Sequence, residues 1–210
     1  MISPETGLNL VKTLCGQSKI TQNNNIKDIR SLYHIQIMVN ANPISRQLVE
    51  KGDFCKRENE NGVDTNRNWD SHWKLVQDQN LQINSGPKPF SEIESLTASQ
   101  VSQLFKPDIF ISIHSGTLGL YSPWAYSNQQ ANRNEQNMID ILNIVNDKYC
   151  KECGVGAAGK EVGYLCPGTC IDYFYENGTE YAFAFEIYDK YTNLQEVLKP
   201  KKLNIEQIIF

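Results

Sequence analysis

Histidine is scarce in this 210-residue chain: only His34, His72 and His114 occur. The residues three places after them are Ile37, Leu75 and Thr117, so there is no His-x-x-Glu, and no His-Glu-x-x-His either. The sequence therefore lacks the short two-ligand segment on which hydrolytic zinc centres are commonly built. Long apolar runs are missing too. None approaches the roughly 20 residues of a membrane helix, and Glu5 and Lys12 interrupt the apolar positions of residues 1–15, unlike a signal peptide. No basic run stands out in a chain of net charge −4. That excludes a polybasic surface for nucleic acid or anionic lipid. Finally, no second C-x-x-C complements Cys150-Lys151-Glu152-Cys153, which rules out a four-sulfur zinc site.

What is present fits one globular domain with a sizeable core, since 40% of the residues are hydrophobic. Six cysteines stand at 15, 55, 150, 153, 166 and 170. The even count, and the Pro-Gly turn by which Cys166 and Cys170 can bridge each other, favour an oxidising compartment.

Local pattern predicts alternating helices and strands. Residues 3–16 read as a helix, with Ser3 as cap, Pro4 in the first turn, Gly16 as stop and Leu8, Val11 and Leu14 on one face. "YHIQIMV" (33–39) reads as a strand, and 40–92 as mostly polar loop; Asn23–Asn25 is a loop tripeptide. A short helix runs from Thr97 to Leu104, and a strand follows over 108–114. "GLYSPWAY" is a second short strand, broken by Pro123. From Gln130 to Tyr149, Met138, Ile141, Val145 and Tyr149 recur at helical spacing. "CIDYFYENG" (170–178) is a short helix and "EYAFAFE" (180–186) a buried strand. The alternation predicts an α/β fold, a mixed or parallel sheet sandwiched by helices. Active sites of such sheets gather at the carboxyl ends of the strands, where both His114 and Glu186 fall.

Each candidate residue has a plain reading when taken alone. Arg67, in "NRN" beside Asn66, is a solvated loop arginine or a fork for a carboxylate; Arg57 is read in the same way. Glu186 either leaves the core for solvent or is a buried carboxylate that needs a partner. His114 is a hydrogen-bonded structural histidine or a metal ligand.

In combination, "GVDTNRNWD", "GPKPFSEIES", "ISIHSG" and "CIDYFYENGTEYAFAFE" resemble, in this order, the zinc carboxypeptidases of the pancreatic carboxypeptidase A type, from about residue 2 to about residue 190. The resemblance implies hydrolysis of single C-terminal residues from peptides by metal-activated water, with one zinc ion. It makes His114 the third zinc ligand, Glu186 the catalytic glutamate and Arg57 the arginine on the scissile carbonyl. It places Asn66 and Arg67 on the substrate's free carboxylate, Tyr164 as the tyrosine that closes over it, and Ser115 among the substrate-binding residues. Ile171 falls at the floor of the specificity pocket, which implies aliphatic or aromatic C-terminal side chains. It also implies peptide or protein C-termini as partners, a monomer when complete, and a secreted or vesicular or lysosomal location.

In that family His-x-x-Glu comes just before a segment like "ISPETGL", which here begins at Met1–Ile2. The expectation is a chain lacking the first strands of the sheet and two of three zinc ligands, and therefore inactive alone. Smaller departures are "NPIS" (42–45) at a family turn, Gly116 where some relatives carry tyrosine, and a shorter tail after residue 190. Asn177-Gly178-Thr179 fits a glycosylation sequon. Two other readings are a non-catalytic module that binds peptide C-termini through Asn66, Arg67 and Tyr164, and a thiol-redox protein using Cys150 and Cys153. The last is disfavoured because that pair ends a helix rather than beginning one.

Overall fold

The computed structural model describes residues 2–17, 25–54, 56–78 and 83–187. It has two compact units, one up to Ala41 and one from Asn42 onward.

In the first unit, helix α1 (Ile2–Leu14) follows the predicted span. Helix α2 (Asn25–Leu32) begins on a residue read from sequence as loop; Asn23 and Asn24 lie outside the described residues. Arg30 donates from Nη1 to the Leu14 carbonyl at 2.8 Å, satisfying an acceptor that a helix end leaves open. The predicted strand at 33–39 does not form: no ladder among the described residues includes it, and Tyr33, Ile35 and Met38 are exposed. Its alternation suits a strand, but alternation supplies only the faces. The backbone groups still need a neighbouring strand to pair with.

The second unit opens with helix α3 (Pro43–Glu50), where the sequence reads as loop. Asn42 accepts from the Ser45 amide at 3.3 Å and Pro43 occupies the first turn, which is the chemistry of a helix start. A two-residue antiparallel ladder joins β1 (Gln77–Asp78) to β2 (Ile83–Asn84). Helix α4 (Ile93–Phe105) starts a turn earlier than predicted. The main sheet is mixed and four-stranded. Its strands are β3 (Ile109–His114), β4 (Leu118–Ser122), β5 (Gly154–Ala157) and β6 (Tyr181–Ile187), in the order β3-β6-β4-β5. β3 runs parallel to β6, β6 antiparallel to β4, and β4 parallel to β5.

Helix α5 (Glu135–Val145) is shorter than its periodicity implies, because residues 146–150 continue as one wider π turn. It packs on β4 and β5 and buries Met138 and Leu142, one turn apart on its inner face. After a single turn, α6 (Ala158–Glu161), helix α7 (Cys170–Glu176) packs on β3 and β6. Phe174 of α7 stacks on Phe110 at 3.6 Å between centroids, so α7 covers the face of β3 that also bears Ser112 and His114. On the opposite face, Ile109 and Ile111 are exposed.

The cysteine pairing differs from expectation. Cys150 and Cys153 form a disulfide, whereas Cys166 and Cys170 are buried free thiols. The second pair does not bridge because each sulfur has its own partner: Cys166 lies 3.2 Å from Arg67 Nη2, and Cys170 lies 3.5 Å from Ser112 Oγ.

Candidate active site

The parallel register of β3 and β6 sets His114 directly beside Glu186, at the carboxyl ends of both strands. Ser112, two residues before His114 on the same face, brings its Oγ to 2.6 Å from His114 Nε2. This leaves Nδ1 as the ring's other polar atom. Burial, reinforced by the nearby charges of Arg57 and Arg67, pushes the imidazole down to about 4. Glu186 moves the other way: burial raises its carboxyl to about 7 against the opposing pull of Arg57 and Arg67. Its Oε2 is buried and has no hydrogen-bond partner among the described residues. Such an oxygen calls for a donor.

Next to this pair lies the loop of residues 57–69. Asp64 is buried and caps the short 3-10 turn Thr65–Arg67, its Oδ1 accepting from the Asn66 amide at 3.0 Å. Its other oxygen takes both Nε and Nη2 of Arg57, at 2.9 and 2.6 Å. One carboxylate therefore orients the arginine and the turn together, and its charge holds the Arg57 guanidinium above its ordinary value against partial desolvation of a side chain that stays 45% exposed.

Asn66 accepts from the Cys170 amide through Oδ1 at 3.0 Å, which turns its Nδ2 away from α7. Arg67 is 5% exposed and donates to the Asn66 carbonyl and to Cys166 Sγ. No carboxylate among the described residues forms an ion pair with it. A buried guanidinium bound only to neutral acceptors has the chemistry to take an anion.

The turn 166–170 is laced to this loop through the Trp69 amide on the Gly168 carbonyl and the Gly168 amide on the Ser71 carbonyl. Gly168 has φ +73°, and a Cβ there would sit 2.5 Å from the Arg67 carbonyl oxygen. Gly168→Ala is expected to cost about 2–3 kcal/mol in chemical denaturation, through left-handed strain plus a backbone clash. Unchanged stability would show that the turn is not pinned there.

The other predicted residues fall around this cluster. Ile171 is buried and directly follows Cys170. Tyr164 is half exposed, and its phenol acts electrostatically on Arg57. Ser115 is exposed, just past the end of β3. Four further residues were not anticipated. Ser112 and Asp64 had local signals, a strand neighbour two places from His114 and an Asp before a tight turn. Tyr121, whose ring lies over Gly119 opposite Glu186, had none. Neither had Asp172, fully buried on α7, which accepts from the Ala125 and Tyr126 amides at 2.8 and 2.9 Å. Burial raises its carboxyl to about 7.

A catalytic zinc takes three protein ligands and keeps one open position. Among the described residues, no group of three or more His, Cys, Asp or Glu side chains is placed to hold a metal ion. His114 with Glu186 is not such a set, so the described residues do not fit zinc on their own.

A mixed α/β sheet thus sets a histidine and a glutamate side by side at its strand ends, with a buried arginine that has no anionic partner among the described residues. The chain belongs to the zinc carboxypeptidase family, whose model matches residues 1–207. It is 29% identical to mouse mast cell carboxypeptidase A over 138 residues, covering 61% of this chain and 33% of that protein. It is 25% identical to zinc carboxypeptidase A 1 of Drosophila melanogaster over 211 residues, covering 88% and 46%. Its fold is similar to that of thrombin activatable fibrinolysis inhibitor, with TM-score 0.79 at 24% identity over 90% of this chain and 51% of the other. Carboxypeptidase A of Helicoverpa armigera gives TM-score 0.72 at 18% identity, over 89% and 49%. The chain thus spans a third to about half the length of these relatives.

Proposed function

We propose that this chain carries the substrate-recognising part of a metallocarboxypeptidase site that removes single C-terminal residues from peptides. Arg67 and the Nδ2 of Asn66 hold the free carboxylate, and Tyr164 closes over it. Ile171 receives an aliphatic or aromatic side chain, Ser115 borders the entrance, and Arg57 faces the carbonyl of the bond to be cut. Glu186, with its raised proton affinity, accepts and returns a proton. The observation that carries this reading is the buried Arg67 with no anionic partner among the described residues. The family implies one zinc ion, and His114 is the ligand this chain would contribute. The chain alone is expected to bind no catalytic zinc and to hydrolyse nothing, since its sequence carries no His-x-x-Glu to supply the other ligands. Peptide and protein C-termini are its partners, it acts as a monomer when complete, and its place is secreted or vesicular.

That same contrast, a built carboxylate clamp beside an incomplete metal set, supports a second reading, a module that binds C-termini without cutting them. Titration calorimetry with an acylated dipeptide ending in phenylalanine, in chelator, tests the shared recognition step. Binding is expected with the free C-terminus and lost with the C-terminal amide. Equal binding of both would remove the carboxylate reading. Stoichiometric zinc uptake with release of phenylalanine would overturn the claim of inactivity.

A further inference from the structure

Asn177-Gly178-Thr179 is the one Asn-x-Ser/Thr segment in the chain, and neither the strand ends nor the arginine loop makes use of it. It forms the turn that leaves α7 for β6. Asn177 caps the end of α7, and Gly178 turns the chain at φ +100°, a left-handed conformation that glycine adopts without strain. Glu176, Asn177, Gly178 and Glu180 are exposed. A Cβ built on Gly178 would meet nothing within 4 Å. The turn is open on its outer side.

We propose that Asn177 carries an N-linked glycan, a bulky group that requires an exposed position of this kind. Its side chain also serves the helix end, since Nδ2 donates to the Tyr173 carbonyl at 2.8 Å. That bond does not compete with a sugar. Nδ2 bears two hydrogens and a glycosylated amide keeps one, while the Tyr173 carbonyl also accepts from the Asn177 backbone amide at 3.0 Å. In the transfer, Nδ2 loses one proton and bonds to the anomeric carbon of the sugar. The donor is a lipid-linked oligosaccharide diphosphate, which departs as the lipid diphosphate. Thr179, whose hydroxyl completes the recognised segment, is 5% exposed, so the sugar is added before this turn folds. The Cys150–Cys153 disulfide belongs to the same oxidising, secretory setting as such a transfer.

Placement decides the consequence. Residues 177–179 lie at the amino end of β6, where the Tyr181 amide donates to the Asp108 carbonyl just before β3. His114 and Glu186 stand at the opposite, carboxyl ends of these strands. From Tyr181 to Glu186 the strand rises about 17 Å. The glycan therefore keeps the amino-end rim of the sheet in solvent and leaves the strand ends at His114 and Glu186 clear. Nothing in this depends on how Arg67 is used.

The test is peptide mapping of the protein purified from its own source, with and without peptide N-glycosidase in heavy-oxygen water. That enzyme removes the sugar and converts the asparagine that bore it to aspartate labelled with heavy oxygen. Residue 177 is expected to read as labelled aspartate after treatment, and the protein to migrate faster on a denaturing gel. Plain asparagine at 177 in untreated protein, with no change on treatment, would overturn the proposal. So would unlabelled aspartate at 177, the mark of spontaneous deamidation at an Asn-Gly bond. Asn177→Gln, made through the secretory route of a eukaryotic host, is expected to lose the enzyme-dependent gel shift. A shift that survives the substitution would also overturn the assignment. The mapping needs no variant, so it decides the matter even if Asn177→Gln fails to fold.

Discussion

Replacing Arg67 with methionine is expected to abolish carboxylate binding while leaving the fold as stable as before, or more so. Truncating one partner of a buried charge pair typically costs 2–5 kcal/mol, so ligand affinity should fall by about a hundredfold or more. Stability should move the other way. In the free protein the guanidinium is desolvated, with no anion among the described residues to compensate it. Methionine has nearly the same reach and no charge, and apolar replacements of buried ionic groups are often neutral or stabilising. Its loss is two hydrogen bonds, one of them to a weak sulfur acceptor. All three tryptophans, Trp69, Trp73 and Trp124, lie in the unit from Asn42 onward, so fluorescence-detected denaturation reports on the right part of the chain. A variant destabilised by several kcal/mol would mean that Arg67 is there for the fold, and the anion-site reading would go with it.

The second large effect is on the pH dependence of stability. Asp172 and Glu186 titrate near 7 in the folded protein against ordinary values of 3.8 and 4.5. A raised carboxyl means that the folded protein binds the proton more tightly than the unfolded chain does. The stability these groups supply is fully present below their ordinary values, and it is lost as pH climbs through their folded values near 7. His114 opposes them. Pushed down from 6.5 to about 4, it takes its proton more readily when unfolded, so its contribution grows as pH rises across that interval. It offsets roughly one carboxyl and leaves the other. Asp172, the more deeply buried, therefore sets the net slope, on the order of 3–4 kcal/mol for a shift of its size. The protein should lose stability between pH 5 and pH 8. Asp172→Asn should flatten or invert that trend, whatever its absolute stability, because the amide does not titrate. Identical slopes in parent and variant would show that Asp172 keeps its charge in the fold.

Much of the architecture was legible because it is written in short-range pattern. Strands β3, β4 and β6 announce themselves as apolar runs, and α7 as aromatics ending at Gly178. Met138, Ile141 and Val145, recurring at helical spacing, mark α5. The failures share one cause. Residues 33–39 alternate like a strand but find no neighbour to pair with among the described residues, while β5, "GVGA", has no apolar signature and becomes a strand because β4 pairs with it. Pairing is a property of two segments, and neither segment encodes it alone. Helix α3 was missed for a different reason: its Asn-Pro start reads equally well as a turn.

The amino-acid sequence by itself determined the candidates: His114 and Glu186 at strand ends, Asn66-Arg67 in a tight loop, Ile171 opening a helix. It also determined the limit on metal chemistry, because no His-x-x-Glu occurs in it. Only the tertiary structure decided which groups are satisfied and which are not. Cys166 reaches Arg67 from 99 residues away, Asp172 takes two amides from a loop 46–47 residues earlier, and Asp64 occupies Arg57 while Arg67 has no anion among the described residues. Charge, burial and hydrogen bonding depend on what the chain brings together across the fold. A carboxylate or a guanidinium carries the same letter in the sequence whether it is paired, solvated or waiting for a ligand.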